Sequence, residues 1–241
     1  MHWTHGHRHP SVERMAVRTA PMRTTVGAKA TMAVTGLLLA LFLVVHMLGN
    51  LKIFVGAGSF DDYAHWLRTI GEPALPYGWY LWIQRVVLTA AVVGHAGAAA
   101  VLARRARSAR PVRYAHRPKV QGGYAARTMR WGGVIVLLFV VYHVLDLTTG
   151  TLNPVGDPSR PYANVVADFA PSRWYVTLFY VLAVVAVGFH LRHGLHSALR
   201  SLGQHTARGE RRARRVALAA AVVLCAGFLA VPFSVLTGLI S

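Results

Sequence analysis

The sequence predicts an all-α integral membrane protein, a bundle of five transmembrane helices with the N-terminus cytoplasmic and the C-terminus outside. Three observations carry this reading. The chain is 54% hydrophobic and only 14% charged, against roughly 25% charged residues in an ordinary soluble domain. Five apolar stretches are each long enough to cross a bilayer. The basic residues gather in alternate connections between those stretches.

A hydrocarbon core about 30 Å thick needs roughly 20 apolar residues in helical form, because unpaired backbone groups are not tolerated there. Residues 28–55, 78–103, 128–147, 172–199 and 215–239 qualify. Residues 28–241 thus form one transmembrane domain, preceded by a basic cytoplasmic tail over 1–27. The tail lacks the short apolar stretch and small-residue cleavage site of a secretory signal. Its His2, His5, His7 and His9 lie beside Gly6 and Pro10 and read as a solvated segment.

Orientation follows from the connections. Residues 103–130 hold nine Arg or Lys and no acid, and residues 197–215 hold six Arg against Glu210 alone, which makes both cytoplasmic. Residues 56–78 and 146–173 hold six of the eight carboxylates and face outside. The same distribution excludes nucleic acid as a partner: the formal charge of +18 lies in short clusters that orient a membrane chain. In the first outer connection, residues 60–70 read as an amphipathic turn or two in the interface, with Tyr63, Trp66 and Leu67 on one face, ended by Pro73 and Pro76. Trp174 and Tyr175 anchor the fourth span at headgroup depth. Cys225 is alone in the chain, so no internal disulfide forms and an iron-sulfur cluster has too few ligands.

An ionisable residue inside a span points to function by default. The first four spans each contain a histidine: His46, His95, His143 and His190. Taken singly, each could simply bond a backbone carbonyl on a neighbouring helix. Depth argues otherwise. At 1.5 Å per residue, His95 and His190 both lie about 27 Å from the outer ends of their helices, whereas His46 and His143 lie roughly 14 and 6 Å deep. Two imidazoles at one level on different helices are what a six-coordinate haem iron needs. The pairing is then His95 with His190 for an inner haem and His46 with His143 for an outer one. Gly49, Gly94, Gly97, Gly188 and Gly194 flank these histidines and would leave room for a flat macrocycle or for close helix packing. His193 and His196 follow His190 toward the cytoplasm and suit propionates or a docked partner. Arg85, ten residues outward of His95, reads as a buried charge that stays protonated and needs an anion or a strong acceptor, unless it snorkels to the outer interface.

The segments Val45-His46-Met47-Leu48-Gly49-Asn50-Leu51 and Gly188-Phe189-His190-Leu191-Arg192-His193-Gly194, with Trp82 to Arg85 ahead of His95, resemble the five-helix, two-haem cytochrome b membrane anchor of succinate dehydrogenases and fumarate reductases, especially the actinobacterial type. The resemblance spans residues 25–240. It implies two b-type haems on His46, His95, His143 and His190, with Arg85, His193 and Arg130 near propionates. It further implies partner flavoprotein and iron-sulfur subunits carrying FAD and iron-sulfur clusters, in a bacterial cytoplasmic membrane. A small additional membrane subunit is left open. Succinate would be oxidised on the flavoprotein, and quinone, usually menaquinone, reduced near the outer haem around Glu72, Arg85, Trp82 and Asp61. Some quinol-oxidising relatives carry a membrane carboxylate where this chain has Gly188, which favours succinate oxidation with no carboxylate path through the helices. Two other readings stand beside it: a two-haem cytochrome b of another dehydrogenase, such as a hydrogenase or formate dehydrogenase, and a haem-free transporter or anchor.

Overall fold

Five helices long and apolar enough to cross a membrane dominate the computed structural model, which describes residues 24–109, 122–201 and 206–241. The tail histidines and most of the first basic connection lie outside the described residues. Among those described there is no strand. The spans are α1 (Thr25–Asn50), continued by a 3-10 turn over Leu51–Val55, α3 (Trp79–Ser108), α4 (Gly122–His143), continued by a π turn over Val144–Thr148, α6 (Trp174–Ser201) and α7 (Ala207–Leu236). Two shorter helices, α2 (Ala57–Thr69) and α5 (Pro161–Asp168), lie at one end of the bundle, here the loop end.

Helix boundaries exceed the apolar stretches. The last span begins at Ala207 rather than 215, and the second runs to Ser108 rather than 103. Hydropathy marks where hydrocarbon begins, while the helix continues into water wherever caps and charges support it. Thr206 accepts a hydrogen bond from the Gly209 amide at 3.0 Å, and Glu210 sits in the first turn of α7, both favourable at a helix N-terminus. The interfacial turn expected over 60–70 is a thirteen-residue helix, α2. The helix α5, in a Pro- and Gly-rich connection, was not expected. Its N-terminal Tyr162 amide donates to Asp61 at 2.8 Å, which ties α2 to α5.

Helix α1 packs extensively on α3 and also on α7, α7 packs on α6, and α6 on α4. The spans therefore form an arc, with α1 and α3 on one side and α4 and α6 on the other. Small residues set the closest approaches, as expected where lipid supplies no hydrophobic drive between helices. Gly188 of α6 lies against Cys225 of α7, and Gly227 of α7 against Met47 of α1. The densest packing is at the loop end, where Ile53, Phe169, Val176, Tyr180, Val231, Val235 and Ile240 form a buried cluster beneath α2 and α5.

Candidate functional site

The arc brings four histidines together as two pairs. His95 of α3 and His190 of α6 have ring centres 6.1 Å apart, and His46 of α1 and His143 of α4 are 5.8 Å apart. The two helices of each pair are not among those packed extensively on each other. The rings thus meet across the space between the two sides of the arc.

The pairs occupy two levels. A Cβ built on Gly36 of α1 would lie 3.2 Å from the His95 ring, and one on Gly133 of α4 would lie 3.5 Å from the His190 ring. Gly36 and His46 are ten residues apart on α1, as are Gly133 and His143 on α4. At 1.5 Å per residue both helices separate the levels by about 15 Å. These two glycines were missed by the sequence reading, which singled out glycines adjacent in sequence to the histidines. Of those, Gly49 packs against Tyr63, Gly94 against Thr35 and Gly188 against Cys225, so they serve helix contacts rather than open space.

Hydrogen bonds determine which nitrogen each imidazole offers. The Thr35 hydroxyl donates to the Thr31 carbonyl at 2.6 Å, so its oxygen can only accept from His95 Nδ1, 3.3 Å away. The Tyr180 hydroxyl donates to Asp146 Oδ2 at 2.7 Å, so it likewise accepts from His143 Nδ1 at 3.3 Å. A hydroxyl has one proton, and a neutral imidazole protonated on Nδ1 carries its lone pair on Nε2. Both rings therefore present the Nε2 lone pair, which could ligate a metal, with Nδ1 oriented from behind by a hydroxyl. His46 is held by a stacked Phe42 ring at 5.1 Å. His190 Nδ1 is buried without a partner.

A metal about 2.0–2.1 Å from each of two imidazole nitrogens, with the ring centres roughly 1 Å beyond them, separates those centres by about 6 Å. Each pair could hold one metal ion between its rings. Among the described residues no group of three or more His, Cys, Asp or Glu is disposed to hold a metal ion.

Behind His143 lies a polar cluster that the sequence reading did not anticipate. Asp146 and Asp168 are both fully buried. Asp168 accepts from the Arg173 guanidinium at 2.9 Å, Asp146 accepts from Tyr180, and the two carboxyls lie within hydrogen-bonding reach of each other. Burial and the adjacent Asp146 carboxyl push the Asp168 acid up to about 7, against the opposing pull of Arg173. Asp146 follows His143 by three residues, which places both on one helix face. That spacing is the signal that could have found it.

The remaining site residues are dispersed. Arg85, read as buried, is exposed on α3 with its guanidinium 4.9 Å from the Trp82 ring centre, because the helix turns it away from the packed α1 face. Glu72, Arg130 and His193 are exposed, and Asp61 is engaged with α5. His196 bonds Glu210 of α7 at 3.0 Å, and Arg214 completes that cluster. A groove of about 350 Å³ opens beside α2, lined in part by Val45, Gly49, Lys52, Tyr63, Trp66 and Tyr80, and none of Glu72, Trp82, Arg85 and Asp61 lines it.

The family model described as Succinate dehydrogenase/Fumarate reductase transmembrane subunit matches residues 103–230, more than half of the 241-residue chain. No curated protein and no solved structure matches the chain. The matched region contains His143 and His190 with α4, α5, α6 and most of α7, and with five membrane-spanning helices around it the chain belongs to the succinate dehydrogenase/fumarate reductase transmembrane subunit family.

Proposed function

We propose that this chain is the cytochrome b anchor of a succinate:quinone oxidoreductase, with one b-type haem between His95 and His190 and a second between His46 and His143. The observation that carries the reading is the two imidazole pairs at ring separations of 6.1 and 5.8 Å on two levels. The hydroxyls of Thr35 and Tyr180, which turn Nε2 of His95 and His143 outward, support it. Two protein ligands per centre suit an iron whose four equatorial positions belong to a porphyrin.

Such an iron, when bound, carries one electron at a time from the iron-sulfur subunit toward quinone. The chain's own contribution is positional. Thr35 and Tyr180 hold the imidazoles in one tautomer and orientation, Phe42 braces His46, and Gly36 and Gly133 leave the inner rings unobstructed. Arg85 and Arg130 supply positive charge toward propionates, and His193 offers them a ring N–H. The basic end, with Arg104, Arg105 and Arg107 on α3 and Arg211, Arg212 and Arg215 on α7, faces the cytoplasm by the positive-inside rule. There it meets the iron-sulfur subunit of a complex whose flavoprotein oxidises succinate. Menaquinone is reduced at the loop end, between the groove beside α2 and the Trp82–Arg85 pair, with Glu72 and Asp61 near solvent as proton donors.

The test is a reduced-minus-oxidised optical spectrum of the complex purified in detergent, with co-purifying chains identified. The expected result is a two-component b-type band, one component lost in His95→Ala or His190→Ala and the other in His46→Ala or His143→Ala. A wild-type complex with no b-type band, or four variants that all retain both components, refutes the assignment.

A further inference from the structure

The Asp146–Asp168 cluster is not used by the positional role above, yet its geometry is specific. Asp146 Oδ2 accepts a hydrogen bond from the Tyr180 hydroxyl and Asp168 Oδ1 accepts one from the Arg173 guanidinium. The other two oxygens, Asp146 Oδ1 and Asp168 Oδ2, are buried and have no donor. Both residues are fully buried, and their carboxyls are adjacent. Two unprotonated carboxyls against one guanidinium would leave a net negative charge and two orphan acceptors out of water. Both features are costly, and like charges at one site are relieved when one carboxyl keeps its proton. A bridging water could donate to both oxygens but would leave both charges in place. A single proton between them satisfies both oxygens and balances Arg173.

We propose that Asp146 and Asp168 form a one-proton site, holding a shared proton at neutral pH and exchanging it with the solution at the loop end along Arg173. Arg173 is the exit because its side chain is 24% exposed while Asp168 is not exposed at all. The groups facing the pair are Tyr142 from α4, Tyr180 from α6 and Arg173 from the turn just before α6, with His143 reached through Tyr180 and Tyr175 beside Arg173. Of these, Arg173 opposes protonation, while the hydroxyl of Tyr180 joins the pair to His143. The weakened acidity of Asp168, its pKa pushed up by burial and by the Asp146 carboxyl, agrees with this geometry. Loss of the proton adds one negative charge to the cluster behind His143, strengthening the hydrogen bond that orients the imidazole. This link to the outer tier rests on the ligand role proposed for His143, whereas the shared proton does not.

The experiment is infrared spectroscopy of the purified complex in light and heavy water from pH 5 to pH 9, on wild type, Asp168→Asn, Asp146→Asn and, as a control, the exposed Asp62→Asn. The expected result is a protonated-carboxyl band at neutral pH that fades as pH rises, shifts in heavy water, survives in Asp62→Asn and disappears in both pair variants. A band unchanged in both pair variants, or no protonated carboxyl at neutral pH, overturns the proposal. Melting temperature against pH gives a second reading if one variant folds poorly. Wild type should lose stability as pH rises from 5 toward about 7 and level off above it, because over that range the folded state holds a proton that the unfolded state has released, and the correctly folded Asn variant should lack that slope. An equal slope in both overturns the shared proton. Infrared detection needs no haem, so the outcomes separate: a titrating band without b-type absorbance removes the haem reading alone, and b-type absorbance without the band removes the pair alone. Where both are present, the midpoint potential of the outer centre should fall with rising pH in wild type and stay flat in Asp168→Asn.

Discussion

Replacing Tyr180 with Phe deletes one hydroxyl from the most densely packed part of the molecule and leaves the ring in place. That ring is 5% exposed and held edge-on by Phe169 at 4.9 Å and Phe139 at 5.3 Å, so no cavity of consequence forms. The hydroxyl donates to Asp146 Oδ2 at 2.7 Å and accepts from His143 Nδ1 at 3.3 Å. Asp146 Oδ1 already lacks a donor, so the variant strips the carboxyl of its hydroxyl partner altogether. A hydrogen bond to a charged group contributes roughly 1.5–3 kcal/mol, and the longer neutral one about 0.5–1.5 kcal/mol. The expected destabilisation is about 2–4 kcal/mol. Tyr142→Phe is the control, since Tyr142 makes ring contacts with Phe179 and Tyr180 but no hydrogen bond through its hydroxyl is present among the described residues, and it should cost no more than about 0.5 kcal/mol. Unfolding in mixed micelles followed by tryptophan fluorescence measures both, and a cycle with Asp146→Ala isolates the coupling, expected at roughly 1–3 kcal/mol. Equal stability of the two Phe variants, or strict additivity with Asp146→Ala, would refute the hydrogen-bond reasoning.

Other substitutions probe the space between the histidine pairs and the helix seams. A Cβ on Gly36 would sit 3.2 Å from the His95 ring, so Gly36→Val should displace that ring and, under the proposed function, weaken the inner b-type component selectively. Gly133→Ala, at 3.5 Å from His190, should be tolerated, while Gly133→Leu should act like Gly36→Val. Optical spectra of the purified variants distinguish these outcomes, and loss of the outer component instead would contradict the two-level arrangement. Gly227→Ala places a methyl where Met47 sits and should destabilise the α1–α7 seam by about 1–3 kcal/mol. Met47→Ala in the same chain should recover part of that loss in the micelle assay, and the absence of any recovery would count against direct contact.

Hydrocarbon admits so few sequences that the five spans are legible from hydropathy alone, and a histidine within one stands out for the same reason. The pairing of His95 with His190 and of His46 with His143 is likewise readable, because depth follows from residue number at a constant rise per residue. What faces each imidazole is not readable this way. Gly36 and Gly133 lie far from their histidines in the chain, and only the crossing of helices brings them opposite. Asp146 resembles an ordinary loop acid in a connection rich in carboxylates, and only its three-residue spacing from His143 hints at its buried place in the π turn over Val144–Thr148. Tyr180 lies in an apolar run where its hydroxyl attracts no attention, though a buried hydroxyl requires a partner. Arg85 shows the opposite failure: a charge within an apolar stretch reads as buried, yet a guanidinium lying over Trp82 can remain at the surface.

The arc of helices has a consequence for biogenesis. Helices α1 and α3 leave the ribosome first and form a hairpin, but each of their histidines faces a counterpart on a helix made later. Neither half alone can close a centre of two imidazoles. Insertion of α4 and α6 must precede prosthetic-group capture under the proposed function, and a captured group would then clasp the early hairpin to the late one. The α1–α7 seam and the α2–α5 contact supply the other attachments, so chains truncated before α7 should hold the first two spans more weakly when their centres are empty.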